Sequence, residues 1–240
     1  MDPLLLMQNM EKSFGPVKAL NNARLEVTEG EVHALIGANG AGKSTLMKVL
    51  CGELEYDNGS ITFGGRAVVP GKTRDVRELG IVMIRQELSV IPILTVAQYL
   101  FLGREPTRGA VIDDRLISEK AAELLKPVGA DFSPDALMSD LSVAQQQLAE
   151  IARALSFPLK LLIMDEPTTA LGERETERFF SVIRRLKEQN VSVIYISPRL
   201  AGILYSVIFG SESSPDAQTG SMASDRSSIS ILRIGFPPFV

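Results

Sequence analysis

The sequence predicts an α/β fold built on a mostly parallel sheet, with an antiparallel β edge subdomain and an inserted helical subdomain. Three observations carry this expectation. Residues 160–164 and 191–196 are near-continuous apolar runs, the pattern of strands covered on both faces. Segments with helical periodicity alternate with such runs, as a parallel core requires. Finally, the strand over 31–36 leads at once into a glycine-rich turn and then a helix.

Composition sets the outer bounds. With 240 residues, 45% hydrophobic and 22% charged, the chain can bury a sizeable core without a metal or disulfide staple, and the composition argues against disorder. A net charge of -4 gives no basic excess that points to nucleic acid. The single cysteine, Cys51, excludes an internal disulfide and fits a reducing compartment. The single histidine, His33, excludes a multi-histidine metal centre and reads as an ordinary strand side chain. The longest apolar runs, such as 161–164, fall far short of the roughly 20 residues that cross a bilayer. The N-terminus, with Asp2 and a short apolar run over 4–7, does not read as a signal peptide, so the chain is expected to begin in the cytosol.

In chain order, the first 30 residues suit an antiparallel strand pair, since 18–27 partly alternate. The strand 31–36 and the helix 43–51, stopped at Gly52, flank the glycine-rich turn. Residues 61–63 and 80–84 read as strands. From 95 to 157 the periodicity is helical, without a convincing strand. Helices over 113–126 and 145–155 are separated by a Pro- and Asp-containing stretch, and 88–157 reads as the helical subdomain. The strand 160–164 follows. The helix 173–189 carries Phe179, Val182, Ile183 and Leu186 on one face, with Asn190 as its end. Residues 206–230 hold nine serines and no periodicity, and 231–240 are apolar again. The regions expected are a main domain over 1–200 and an atypical tail over 201–240.

The turn reads Gly37-Ala38-Asn39-Gly40-Ala41-Gly42-Lys43-Ser44-Thr45, a full G-x-x-x-x-G-K-[ST] between a strand and a helix. Glycines let the backbone turn tightly and present N–H groups to phosphate oxygens, and the helix N-terminus adds its positive end. Lys43 is suited to the β- and γ-phosphates, and the Ser44 hydroxyl to Mg²⁺. The strand 160–164 ends in Asp165-Glu166. Alone, this pair could be a solvated strand end. Beside a phosphate cradle on one parallel sheet edge, Asp165 can join the Mg²⁺ shell and Glu166 can orient or deprotonate water.

These motifs, joined by two more, resemble the ATP-binding subunit of ABC transporters over residues 4–200, with a P-loop NTPase core. Leu141-Ser142-Val143-Ala144-Gln145 stands where that family carries its L-S-G-G-Q signature, 20 residues ahead of Asp165. Gln86 stands where it carries the Q-loop. Val143-Ala144 departs from the two glycines and, with Gln145-Gln146-Gln147, is similar to the carbohydrate importers of the ribose, galactose, arabinose and xylose group. The resemblance implies ATP and Mg²⁺ as ligands. Phe14 corresponds to the aromatic that stacks on adenine, although it also reads as a core residue of an edge strand. Gln86 would contact Mg²⁺ or the attacking water. Leu141 to Gln145 would close over ATP held by a second ATPase domain, and Ala170-Leu171-Gly172 resembles the D-loop. The implied partners are that second domain, integral membrane permease subunits and, indirectly, a periplasmic or extracellular sugar-binding protein, with no nucleic acid. The implied location is cytoplasmic, peripheral on the inner face of the membrane.

One departure bears on activity. Where the family carries a switch histidine, in a context like I-S-H-R-L, this chain reads Ile196-Ser197-Pro198-Arg199-Leu200. Proline offers no side-chain donor, so nucleotide binding with impaired hydrolysis is expected. The likeness ends there, which suggests an out-of-frame tail over 198–240. Two other readings stand beside the sugar-import motor: a nucleotide-binding fragment without working function, and a non-transport ABC ATPase acting on ribosomes or DNA.

Overall fold

A computed structural model describes residues 2–69, 71, 73–85, 90–109, 111–167 and 172–197. Gln86, Ala170, Leu171, Pro198 and the tail over 201–240 therefore lie outside the described residues.

The elements run β1 (Leu5–Phe14), β2 (Val17–Val27), β3 (Val32–Ile36), α1 (Lys43–Leu50), β4 (Asn58–Phe63), β5 (Arg66–Ala67), α2 (Thr73–Glu78), β6 (Ile81–Ile84) and α3 (Val96–Phe101). They continue with β7 (Thr107–Arg108), β8 (Val111–Ile112), α4 (Asp114–Val128), α5 (Val143–Leu155), β9 (Leu161–Asp165), α6 (Glu173–Glu188) and β10 (Ser192–Ser197). One sheet has the order β3-β10-β9-β6 and is parallel throughout. A second, antiparallel sheet has the order β2-β1-β4-β5. The α/β reading of the sequence is thus the observed fold, with a parallel core, an antiparallel sheet and helices.

The parallel sheet is covered on both sides, which is why its strands lack polar alternation. Along β9, Leu161 and Ile163 join a core formed with β1, β2, β4 and α1. Leu162 and Met164 join the opposite core, formed with α3, α4, α5 and α6. The same division holds along β10, where Ile194 and Ile196 face one core and Val193 and Tyr195 the other. At roughly 25 cal/mol per Å² of apolar surface, this two-sided burial is the main term holding the strands in place.

Helices α3, α4 and α5 follow β6 in the chain and pack on one another. Each starts on a side-chain cap. Thr95 accepts from the Gln98 N–H at 3.2 Å, Asp113 from the Leu116 N–H at 3.1 Å, and Ser142 from the Gln145 N–H at 3.3 Å. One feature departs from the sequence expectation: the hairpin β7–β8 interrupts a stretch expected to contain no strand, and its four paired residues are all exposed. As expected, β2 alternates only in part, and register shifts in its pairing with β1 follow Met7, Met10 and Lys12. These shifts let Leu5, Met7 and Met10 all be buried.

Candidate functional site

Parallel strands put their C-terminal ends on one edge, the usual ligand-binding edge of such sheets. Here β3 delivers the glycine-rich turn, β9 delivers Asp165 and Glu166, and β10 lies between them. Ile196 pairs with Leu35 on one side and Asp165 on the other. Asp165 therefore sits two strand spacings, roughly 10 Å, from the strand that carries the turn.

The turn is a closed cradle. Gly40 and Gly42 adopt positive φ, 82° and 81°. A methyl group at Gly42 would meet the Ala19 carbonyl oxygen of β2 at 2.5 Å, so the antiparallel sheet backs directly onto the loop. Gly42 caps α1 in the left-handed conformation with no side-chain hydrogen bond, and the Ala41 N–H donates to the Ala38 carbonyl at 3.1 Å. The first turn of α1 thus has no side chain capping it, leaving its amides suited to phosphate oxygens. The Lys43 ammonium donates to the carbonyls of Gly37 at 2.6 Å and Ala38 at 2.9 Å. Lys43 is 6% exposed. Ala38, Asn39, Gly40 and Ser44 are exposed, and Gly37 and Thr45 half-buried. The loop therefore opens outward with its cation held inside it.

Asp165 and Glu166 are half-buried. Burial pushes the Asp165 carboxyl up from its ordinary value, and repulsion from Glu166 adds to this. Lys43 and Lys48 oppose the shift without cancelling it. The acid pair thus lies within electrostatic reach of the cradle lysine. Glu166 has a backbone φ of 49°, uncommon for a residue with a side chain, and its N–H donates to the Ile196 carbonyl at 3.1 Å. Such strain concentrates at working sites.

The Leu141–Gln145 run forms a second cluster. The Ser142 N–H donates to Gln145 Oε1 at 3.0 Å, completing the reciprocal cap at the start of α5. Gln145 Nε2 donates to Asp131 Oδ1 at 3.1 Å, and Arg178 donates to Asp131 Oδ2 at 3.3 Å. The Gln145 amide, with Arg178 beside it, holds the Asp131 carboxyl below the usual range. A cleft of about 310 Å³ opens here, with Ser142, Ala144, Gln145, Glu175 and Arg178 in its wall and no residue of the phosphate cradle. Leu141 is buried and Val143 is 45% exposed. The cradle and this run are thus two separate sites on the chain. Asp131 and Arg178 escaped the sequence reading because they reach Gln145 only through tertiary packing.

Phe14 ends β1 and is 49% exposed, so it is not a core residue; the Lys12 ammonium lies 5.8 Å from its ring centre. The Gly172 N–H donates to Glu175 at the start of α6. His33 is buried and pairs with Glu31 at 3.1 Å, away from the cradle and the acid pair.

Comparison with known proteins agrees with this geometry. The family described as ABC transporter matches residues 20–169. A ribose import ATP-binding protein of Caldanaerobacter subterraneus is 49% identical over 201 residues, covering 83% of this chain and 40% of the relative. One from Geobacillus kaustophilus is 52% identical over 199 residues, covering 82% and 40%. The chain thus spans about 40% of the length of the curated relatives it matches. Among solved structures, an ATP-binding cassette of an ABC transporter in its ADP conformation superposes with a TM-score of 0.76 at 28% identity, covering 87% of this chain and 85% of that one. A nucleotide-free cassette superposes with 0.75 at 28%, covering 84% of each. With the family model matching residues 20–169 and relatives about half identical over more than four fifths of its length, the chain belongs to the ABC transporter family.

Proposed function

We propose that this chain is the ATP-binding and ATP-hydrolysing motor of carbohydrate import through an ABC transporter, with hydrolysis impaired by Pro198. The observation that carries the reading is the convergence of the Lys43-centred cradle and the Asp165-Glu166 pair on one edge of the parallel sheet. The relatives' names, which state ribose import, support the substrate class.

In this reading residues 1–200 form the ATPase domain, with 88–157 as its helical subdomain. The amides of Gly37 to Thr45 bind the triphosphate, Lys43 neutralises it and Phe14 stacks on the base. Glu166 orients the attacking water or takes its proton. Ser44 and Asp165, with Gln86, would hold Mg²⁺, and oxygen donors of this kind fit that ion. Among the described residues no group of three or more His, Cys, Asp or Glu is placed to hold a metal. When bound, Mg²⁺ supplies positive charge against the phosphates and the raised Asp165 carboxyl.

Leu141, Ser142, Val143, Ala144 and Gln145 are proposed to close over ATP held by a second ATPase domain. The further partners proposed are integral membrane permease subunits and, through them, a sugar-binding protein. No helix among the described residues is long and apolar enough to cross a membrane, and the proposed location is peripheral, on the inner face of the membrane. Purification from membranes tests the reading: recovery of the chain with an integral membrane subunit, and Mg²⁺-dependent ATP binding, are expected. Recovery with ribosomes or RNA, or no binding of ATP, would contradict it.

A further inference from the structure

Gln147 lies on α5 and is 5% exposed. Its Nε2 donates to the Pro167 carbonyl, while its Oε1 is buried without a hydrogen-bond partner among the described residues. A buried amide paired at only one end is costly, and such a group calls for a reason beyond packing. Pro167 directly follows Glu166, whose backbone sits at a φ of 49°. On its other side Glu166 is fastened to β10 through its N–H and the Ile196 carbonyl, at 3.1 Å. The Glu166–Pro167 segment is thus held from two directions, by β10 at the Glu166 N–H and by α5 at the Pro167 carbonyl.

We infer that Gln147 is a positioning residue that braces the Glu166 turn from helix α5. The inference rests on the reading of Glu166 as the group that acts on water. The brace and the Ser142 cap belong to one helix, so a displacement at the N-terminus of α5 is carried to the Pro167 carbonyl and to Glu166. Gln147 itself touches neither nucleotide nor water. It acts by fixing the carboxylate, and misplacement by an ångström can cost about 10²-fold in rate.

Two variants test this, in the chain itself and in parallel in a Pro198→His background. Gln147→Met keeps length and apolar bulk but removes the donor. At saturating Mg-ATP its single-turnover hydrolysis is expected to fall at least about tenfold, with the ATP dissociation constant changed by less than about twofold. Gln147→Glu cannot donate when ionised but donates to a carbonyl when protonated, and burial favours the protonated form. Its rate relative to the parent is therefore expected to recover from about pH 8 to about pH 6, whereas that of Gln147→Met does not. Parental rates in Gln147→Met, or parallel losses of rate and ATP affinity, would overturn the brace while leaving the nucleotide site intact. A parent chain that binds no ATP would overturn the site reading and the brace together.

Discussion

The Lys43 ammonium donates to the Gly37 carbonyl at 2.6 Å, closing the loop between β3 and α1 onto itself. The cation proposed to meet the phosphates is thereby held within the cradle, 6% exposed, rather than extended into solvent. The cradle's shape then depends on glycines that accept backbone angles no other residue adopts cheaply.

Gly42 is the most constrained of these. Its φ of 81° and the 2.5 Å approach of the Ala19 carbonyl leave no room for a methyl group. Gly42→Ala is expected to destabilise the fold by about 2 kcal/mol or more, lowering the melting temperature by several degrees, and to abolish ATP binding. Thermal unfolding with and without Mg-ATP checks both effects.

Glu166→Gln preserves size but removes the carboxylate proposed to act on the attacking water. ATP affinity is expected to stay within about threefold of the parent, while hydrolysis falls by about 10²-fold or more. Equilibrium binding and single-turnover hydrolysis, measured on the same preparation, separate the two.

Pro198→His returns a titratable donor at the position that follows β10 in the chain. A positioned donor of this kind is worth about 10² to 10³ in rate, so the variant should hydrolyse ATP faster than the parent by a factor of that order. Comparable steady-state rates would show that the proline does not impair the chain.

Glu31 gives a pH prediction away from the site. Burial pushes its carboxyl up, but hydrogen bonds from His33 and Thr28 outweigh this and hold it below its ordinary value of 4.5. The unfolded chain therefore takes up the proton first, and the carboxylate's stabilising contribution, fully present above 4.5, is lost as the pH falls below it. Denaturant titrations of the parent and of Glu31→Gln should differ most near neutral pH and converge in acid.

Much of this was legible in the sequence because burial and chemistry left local marks. The strands β9 and β10 were readable since both faces are buried, which forces continuous apolar residues. The turn between β3 and α1 was readable since its glycines, Lys43 and Ser44 stand at a fixed spacing between an apolar strand and a helix. The β7–β8 hairpin was not, because two-residue exposed strands carry no periodicity. Helix α2 spans only 6 residues, too few for a periodic signal. The Asp131–Gln145–Arg178 cluster and the Gln147–Pro167 contact join segments distant in sequence, and nothing local announces them. The positive φ of Glu166 likewise leaves no mark in the local sequence.

The most direct test of the central claim is calorimetric titration of the purified chain with ATP, with and without Mg²⁺, beside Lys43→Ala. One saturable site per cradle, tighter with Mg²⁺ and weakened at least about tenfold in Lys43→Ala, is the predicted result. Absence of binding, or equal binding by the parent and Lys43→Ala, would contradict the claim that this cradle holds the triphosphate.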